Sequence, residues 1–169
     1  MAISMYSASV PTFVQLLGGL KGVLQKVEAH TTAHKWDTAV ILNQRFYPDM
    51  FTFERQVRQA CVHAQGAGRV AGVALPSLPD SDSDFAGMQA RVDKTLDFVK
   101  GLSAAQIDGK EDSEVTIIAG GNERKFKAQI YLFHFAMPNF YFHTTTAYNI
   151  ARSLGVEIGK RDFMGQMPS

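Results

Sequence analysis

Apolar residues recur at three- and four-residue steps through Val10, Val14, Leu17, Leu20, Leu24 and Val27, the spacing of one face of an α-helix. The pattern predicts a first helix from about Ser9 to about His30. Pro11 would lie in its first turn, where the missing N–H costs nothing. A short helix is expected over Asp37–Gln44. A second long helix should run from Asp49 to about Gly66, with Phe53, Val57, Ala60 and Ala64 as its inward stripe. The stretch LPSLPDSDSD supplies two prolines and a run of Ser and Asp suited to a loop and a helix N-cap. Phe85, Met88, Val92, Leu96 and Val99 then resume helical spacing, with a stop at Gly101.

The period changes in EVTIIAGGNERKFKA. β-Branched residues, then Gly-Gly-Asn, then a second short run predict an antiparallel hairpin near residues 114–127. From Ala128 to Leu154 helical spacing returns, rich in aromatics and interrupted by Pro138. A proline there deprives the His134 carbonyl of its helical partner, so a kink is expected. The elements together predict an all-α four-helix bundle with one short hairpin in a connection, forming a single domain over residues 1–169.

Composition narrows the function classes. The chain has 169 residues, 46% hydrophobic and 20% charged, with a formal net charge of +1. That balance offers no basic surface for nucleic acid. No apolar stretch approaches the roughly 20 residues needed to cross a bilayer, and MAISMYSASVPTF lacks a signal-peptide pattern. With one cysteine, Cys61, no internal disulfide forms, and a cytoplasmic location is the default expectation. Cys61 is read as a small buried hydrophobe. The aromatics Phe133, Phe135, Tyr141, Phe142 and Tyr148 fall off the core sector of the last helix, which predicts a homodimer.

Polar residues on an apolar face carry the functional reading. On a helical wheel, Asn139 and His143 share the sector of Leu132, Ala136, Ala147, Ile150 and Leu154, four residues apart. His134 falls on roughly the opposite side. On the second helix, Asp49 shares the sector of Phe53, Val57, Ala60 and Ala64. Asp49, Asn139 and His143 converging from two helices are a candidate divalent-metal site, or an acid–base pair with an assisting amide. Asp49 after Pro48 is equally a common helix start, and His143 and Asn139 equally satisfy one another. His30, His34 and His63 are expected on solvated positions.

The segments SMYSASVPTFVQLLGGL, RFYPDMFTFERQVRQAC and HFAMPNFYFHTTTAYNIARSLGVEIGKRDFMG resemble a branch of the DinB/YfiT-like superfamily over nearly the whole chain. The resemblance implies a four-helix bundle with an unusual crossover, often a homodimer. It also implies a divalent metal, nickel or zinc, held by one histidine of the second helix and an HxxxH pair on the last. Some members are thiol-dependent transferases or isomerases. Those ligand positions match Asp49, Asn139 and His143 here, and a shifted register brings His134 into the first position of the pair. Two readings follow: a metal-assisted small-molecule enzyme with its pocket between the second and last long helices, or a non-catalytic small-molecule-binding or stress-associated protein whose metal site has become a polar cluster.

Overall fold

The computed structural model describes residues 3–168. The first helix, α1, spans Met5–Ala33, longer at both ends than the apolar period suggested. Its start is set by Ser4, whose hydroxyl accepts from the Ser7 amide at 3.2 Å, while the Ser7 hydroxyl accepts from the Ser4 amide at 2.8 Å, a reciprocal cap. Pro11 therefore lies inside the helix rather than in its first turn. A short α2 covers Thr38–Leu42.

The third helix, α3, begins at Phe53 and ends at Ala64, four residues later than expected. Thr52 is the reason: its hydroxyl accepts from the Arg55 amide at 3.3 Å and caps the helix there. Residues Tyr47–Met50 close a turn instead, through the Met50 amide to the Tyr47 carbonyl at 3.0 Å. After α4, Gly66–Ala71, Gly72 ends the run in the left-handed region at φ 71°.

The loop that follows is tied down by an ion pair. Arg91, only 3% exposed, donates to the Asp82 carboxylate at 2.6 Å and to the Pro79 carbonyl at 2.7 Å. A buried guanidinium needs such partners. Arg91 belongs to α5, Phe85–Lys100, which starts where Asp84 accepts from the Gly87 amide at 2.7 Å. A four-residue α6, Ala104–Ile107, leads to the hairpin.

Strands β1, Glu114–Ala119, and β2, Asn122–Lys127, pair antiparallel from Glu114↔Lys127 to Ala119↔Asn122, as the change of period predicted. Gly120 and Gly121 both hold positive φ, 61° and 77°, which the tight turn requires. Only Val115 and Ile117 of β1 bury their side chains. The hairpin thus sits half on the helical body and half in solvent.

The last long helix has three parts. α7, Ala128–Tyr131, runs into a π-helical turn, Leu132–Ala136, which runs into α8, Met137–Ser153. In the π turn the Met137 amide reaches back to the Leu132 carbonyl, and Pro138 takes the start of α8, where its missing N–H is tolerated. The expected kink is therefore resolved as a wide turn. α8 packs along α3, and α1 packs against α5 and α8. Phe13 of α1 meets Phe140 of α8 edge-to-face at 4.9 Å, both fully buried. Among the described residues, no helix is long and apolar enough to cross a membrane.

The C-terminal α9, Lys160–Met164, folds back on α1. Lys26 pairs with Asp162 at 2.7 Å, and Gln15 donates to the Met164 carbonyl at 2.9 Å. Gly19 makes the close approach possible: a Cβ there would overlap the carbonyl oxygens of Phe163 and Asp162. Gly18, next to it, faces open space. Gly19→Ala should lower stability by about 1–3 kcal/mol through overpacking, whereas Gly18→Ala should be neutral or raise it by about 0.5–1 kcal/mol. Urea melts of the two variants check the opposite signs, and equal effects would show that α9 does not hold this position.

Candidate functional site

One polar contact crosses the α3–α8 interface. His143 Nδ1 lies 2.7 Å from Gln56 Oε1, with His143 6% and Gln56 1% exposed. Gln56 also donates from Nε2 to the Phe51 carbonyl at 3.3 Å. A backbone carbonyl only accepts, so the amide turns its NH2 to Phe51 and its oxygen to the imidazole. His143 must then carry its proton on Nδ1 and present a lone pair on Nε2.

His63, one heptad after Gln56 on α3, is the second imidazole. It is 9% exposed, its ring parallel to that of His143 within 9° at a centroid distance of 5.5 Å. Phe51 lies parallel on another side of His143 at 6.0 Å, and the Arg55 guanidinium sits 3.7 Å from the Phe51 ring centroid. Phe135, from the π turn, meets His63 edge-on at 5.6 Å. These rings wall a cavity of about 320 Å³ closed on one side by Ile117–Gly120 of the hairpin, with Gln59, Arg69, Tyr131 and Asn139 completing it.

Both imidazoles are held neutral. Burial lowers His63, aided by His143 and Arg69, to about 4. Burial likewise lowers His143, aided by Arg55, to about 4. A cation is poorly solvated there and is repelled by the nearby guanidinium groups.

The sequence-predicted residues separate. Asn139 and His143 do border one cavity, half-buried and buried respectively. The Asn139 amide donates to the Phe135 carbonyl at 2.7 Å, and the residue lines the cavity. Asp49 is not on an inner helix face: it is exposed in the turn before α3, because Thr52 starts the helix after it. It lines a second, smaller cleft of about 180 Å³ together with Met50, Phe51, Gln56, Phe142 and His143, and Asn139 is not among the residues lining that cleft. His134 is exposed on the opposite side of the helix, as the wheel predicted. His63, expected on a solvated position, is instead buried beside His143, and His30 is half-buried against His34 at 4.1 Å. Asp49, Gln56 and His63 stand at seven-residue steps in the chain, a spacing that polar residues at the edge of any amphipathic helix share. The last two share a helix face, and the first is not in the helix.

Among the described residues, no three His, Cys, Asp or Glu side chains gather closely enough to hold a metal ion. With Asp49 outside and an amide at position 139, the donors around His143 do not fit a three-imidazole nickel or zinc centre. Cys61 is fully buried, and burial pushes its thiol up to about 12, so it stays protonated and inert.

The largely helical body with its small antiparallel hairpin is a DinB-like fold, as its likeness to a solved DinB family member shows. The crystal structure of a DinB family member protein from Shewanella denitrificans is similar over 97% of this chain and 93% of that one, with a TM-score of 0.84 and 34% identity. A family model described as a domain of unknown function, DUF1993, matches residues 5–164, and the chain belongs to that family. No curated protein matches it.

The depressed imidazoles link folding to pH. Unfolded, both titrate near 6.5; folded, near 4. Between these values the unfolded chain binds more protons, so stability is complete above about pH 6.5 and falls as the pH drops towards about 4. Urea midpoints should show this decline, and a His63→Gln/His143→Gln double variant should lose much of it. An NMR titration in which either ring protonates near 6.5 would contradict the assignment.

Proposed function

We propose that this protein binds a small molecule in the cavity between α3, the π turn, α8 and the hairpin, with His143 Nε2 as a hydrogen-bond acceptor. The observation that carries the reading is the Gln56–His143 bond, which leaves that lone pair as the group not used by the fold. Two stacked neutral imidazoles, the Asn139 side chain and apolar walls suit an orienting pocket of ligand size. An imidazole held down near 4 takes up little proton at neutral pH, which favours binding over general-base work. The reading treats the three-histidine metal set of the wider superfamily as replaced here by a polar cluster. On this reading α1, α3, α5 and α7–α8 are the four-helix bundle of that superfamily, with the hairpin in a crossover connection.

A homodimer belongs to the same proposal. Phe142 and Tyr141 of α8 are 55% and 38% exposed, and the turn before α3 exposes Phe46 and Tyr47 at 56% and 65%. Phe133, Phe135 and Tyr148 are partly buried on the chain's own core, so the surface offered to a second copy is narrower than all five aromatics.

Elemental analysis of untagged protein should find nickel and zinc well below one equivalent per chain. One tightly bound equivalent, lost in His143→Ala, would overturn the reading. Light scattering at micromolar concentration should give twice the chain mass; a monomer would remove the dimer.

A further inference from the structure

Resting on the small-molecule reading above, we infer that the ligand of this cavity is a small organic anion, a carboxylate on an aromatic or branched apolar body, whose charge is met by Arg69. The argument begins with charge. Arg69 lines the cavity from α4, beside the phenol of Tyr131. Among the described residues no acidic side chain lines the cavity, and no carboxylate stands within 4.0 Å of the Arg69 guanidinium. Arg69 thus lines the cavity as a cation with no counter-charge beside it, one of its N–H groups meeting the Tyr131 phenol and the rest open to solvent or a ligand.

The surroundings set the strength of the pairing. The Tyr131 ring is 2% exposed and lies beside Arg69, while Arg69 itself keeps contact with solvent, so its pairing with an anion is worth no more than a charge-assisted hydrogen bond at a half-open site. A planar carboxylate matches the guanidinium fork in geometry. The body of the ligand has its own place. Phe51, Phe135, Ile117 and Ile118 supply apolar walls, and Asn139 with the neutral His143 orient a polar substituent. Because His63 and His143 are both neutral at physiological pH, Arg69 is the single full charge among the lining side chains, so it decides the sign of the ligand.

Benzoate and benzamide, nearly equal in shape, separate charge from fit. Binding is read from NMR shifts of the Ile117 and Ile118 methyls and the Asn139 amide in wild type, Arg69→Gln and Arg69→Lys. Benzoate should bind wild type about tenfold tighter than benzamide, the ratio expected for a charge-assisted hydrogen bond. Arg69→Gln should bring the two probes level, and Arg69→Lys should keep part of the preference. Arg69 is exposed, so neither variant disturbs the core, and unchanged melting curves verify that. Equal binding of both probes to wild type overturns the anion while leaving the pocket in place. Binding of neither probe overturns the pocket reading along with it.

Discussion

Residues 56 and 143 are 87 positions apart in the chain and 2.7 Å apart in space. The bond between them is where the α3–α8 interface and the chemistry of the site meet. Each is a polar group set among the buried Phe53, Val57, Ala60, Ala147 and Ile150, and each would be costly to bury alone. The Gln56 amide oxygen accepts from His143 Nδ1, and its NH2 donates to the Phe51 carbonyl. The same geometry that removes the cost also fixes the His143 tautomer and aims its Nε2. Removal of Gln56 would cost both packing order and the orientation of the ring.

Around that bond, desolvation sets the character of the site. His63 and His143 lie parallel, walled by Phe51 and Phe135, with Arg55 and Arg69 near enough to oppose a further positive charge. The outcome is a pair of neutral rings in a region whose formal charge comes from arginine. A cysteine on the same helix, Cys61, is driven the other way by burial and takes no part. One physical cause, low dielectric, therefore silences a thiol and keeps two imidazoles from becoming cations.

The last helix delivers these groups because it is not regular. Pro138 cannot donate to the turn before it, and the π turn at Leu132–Ala136 accommodates the loss without breaking the rod. π turns of this kind are common at functional sites. Here the wide turn brings Phe135 against His63, and its Phe135 carbonyl accepts from the Asn139 side chain. Gly66 helps from α4: a Cβ there would come within 2.8 Å of the Ala136 Cβ, so only glycine allows α4 this close to the π turn.

Much of the fold was legible in the chain, because short-range periodicity depends on burial of one face and little else. The stripe from Val10 to Val27, the stripe from Phe85 to Val99, and the Gly-Gly-Asn turn each identified an element. The wheel also placed His143 and Ala147 inward and His134 outward. Helix starts were less legible: Asp49 and Thr52 are both acceptable caps, and the choice of Thr52 took Asp49 out of the face on which its assignment rested. The partner of His143 was not legible at all. Nothing local separates Gln56 and His63 from solvated residues at the edge of an amphipathic helix, since edge positions are polar in either case. Only the docking of α8 on α3, with the hairpin tip across the shared cavity, buried that edge. The sequence by itself determined which residues are helical and which faces are apolar, through 3.6-residue periodicity. Tertiary structure alone decided which polar residues lost water, because desolvation depends on neighbours far away in the chain.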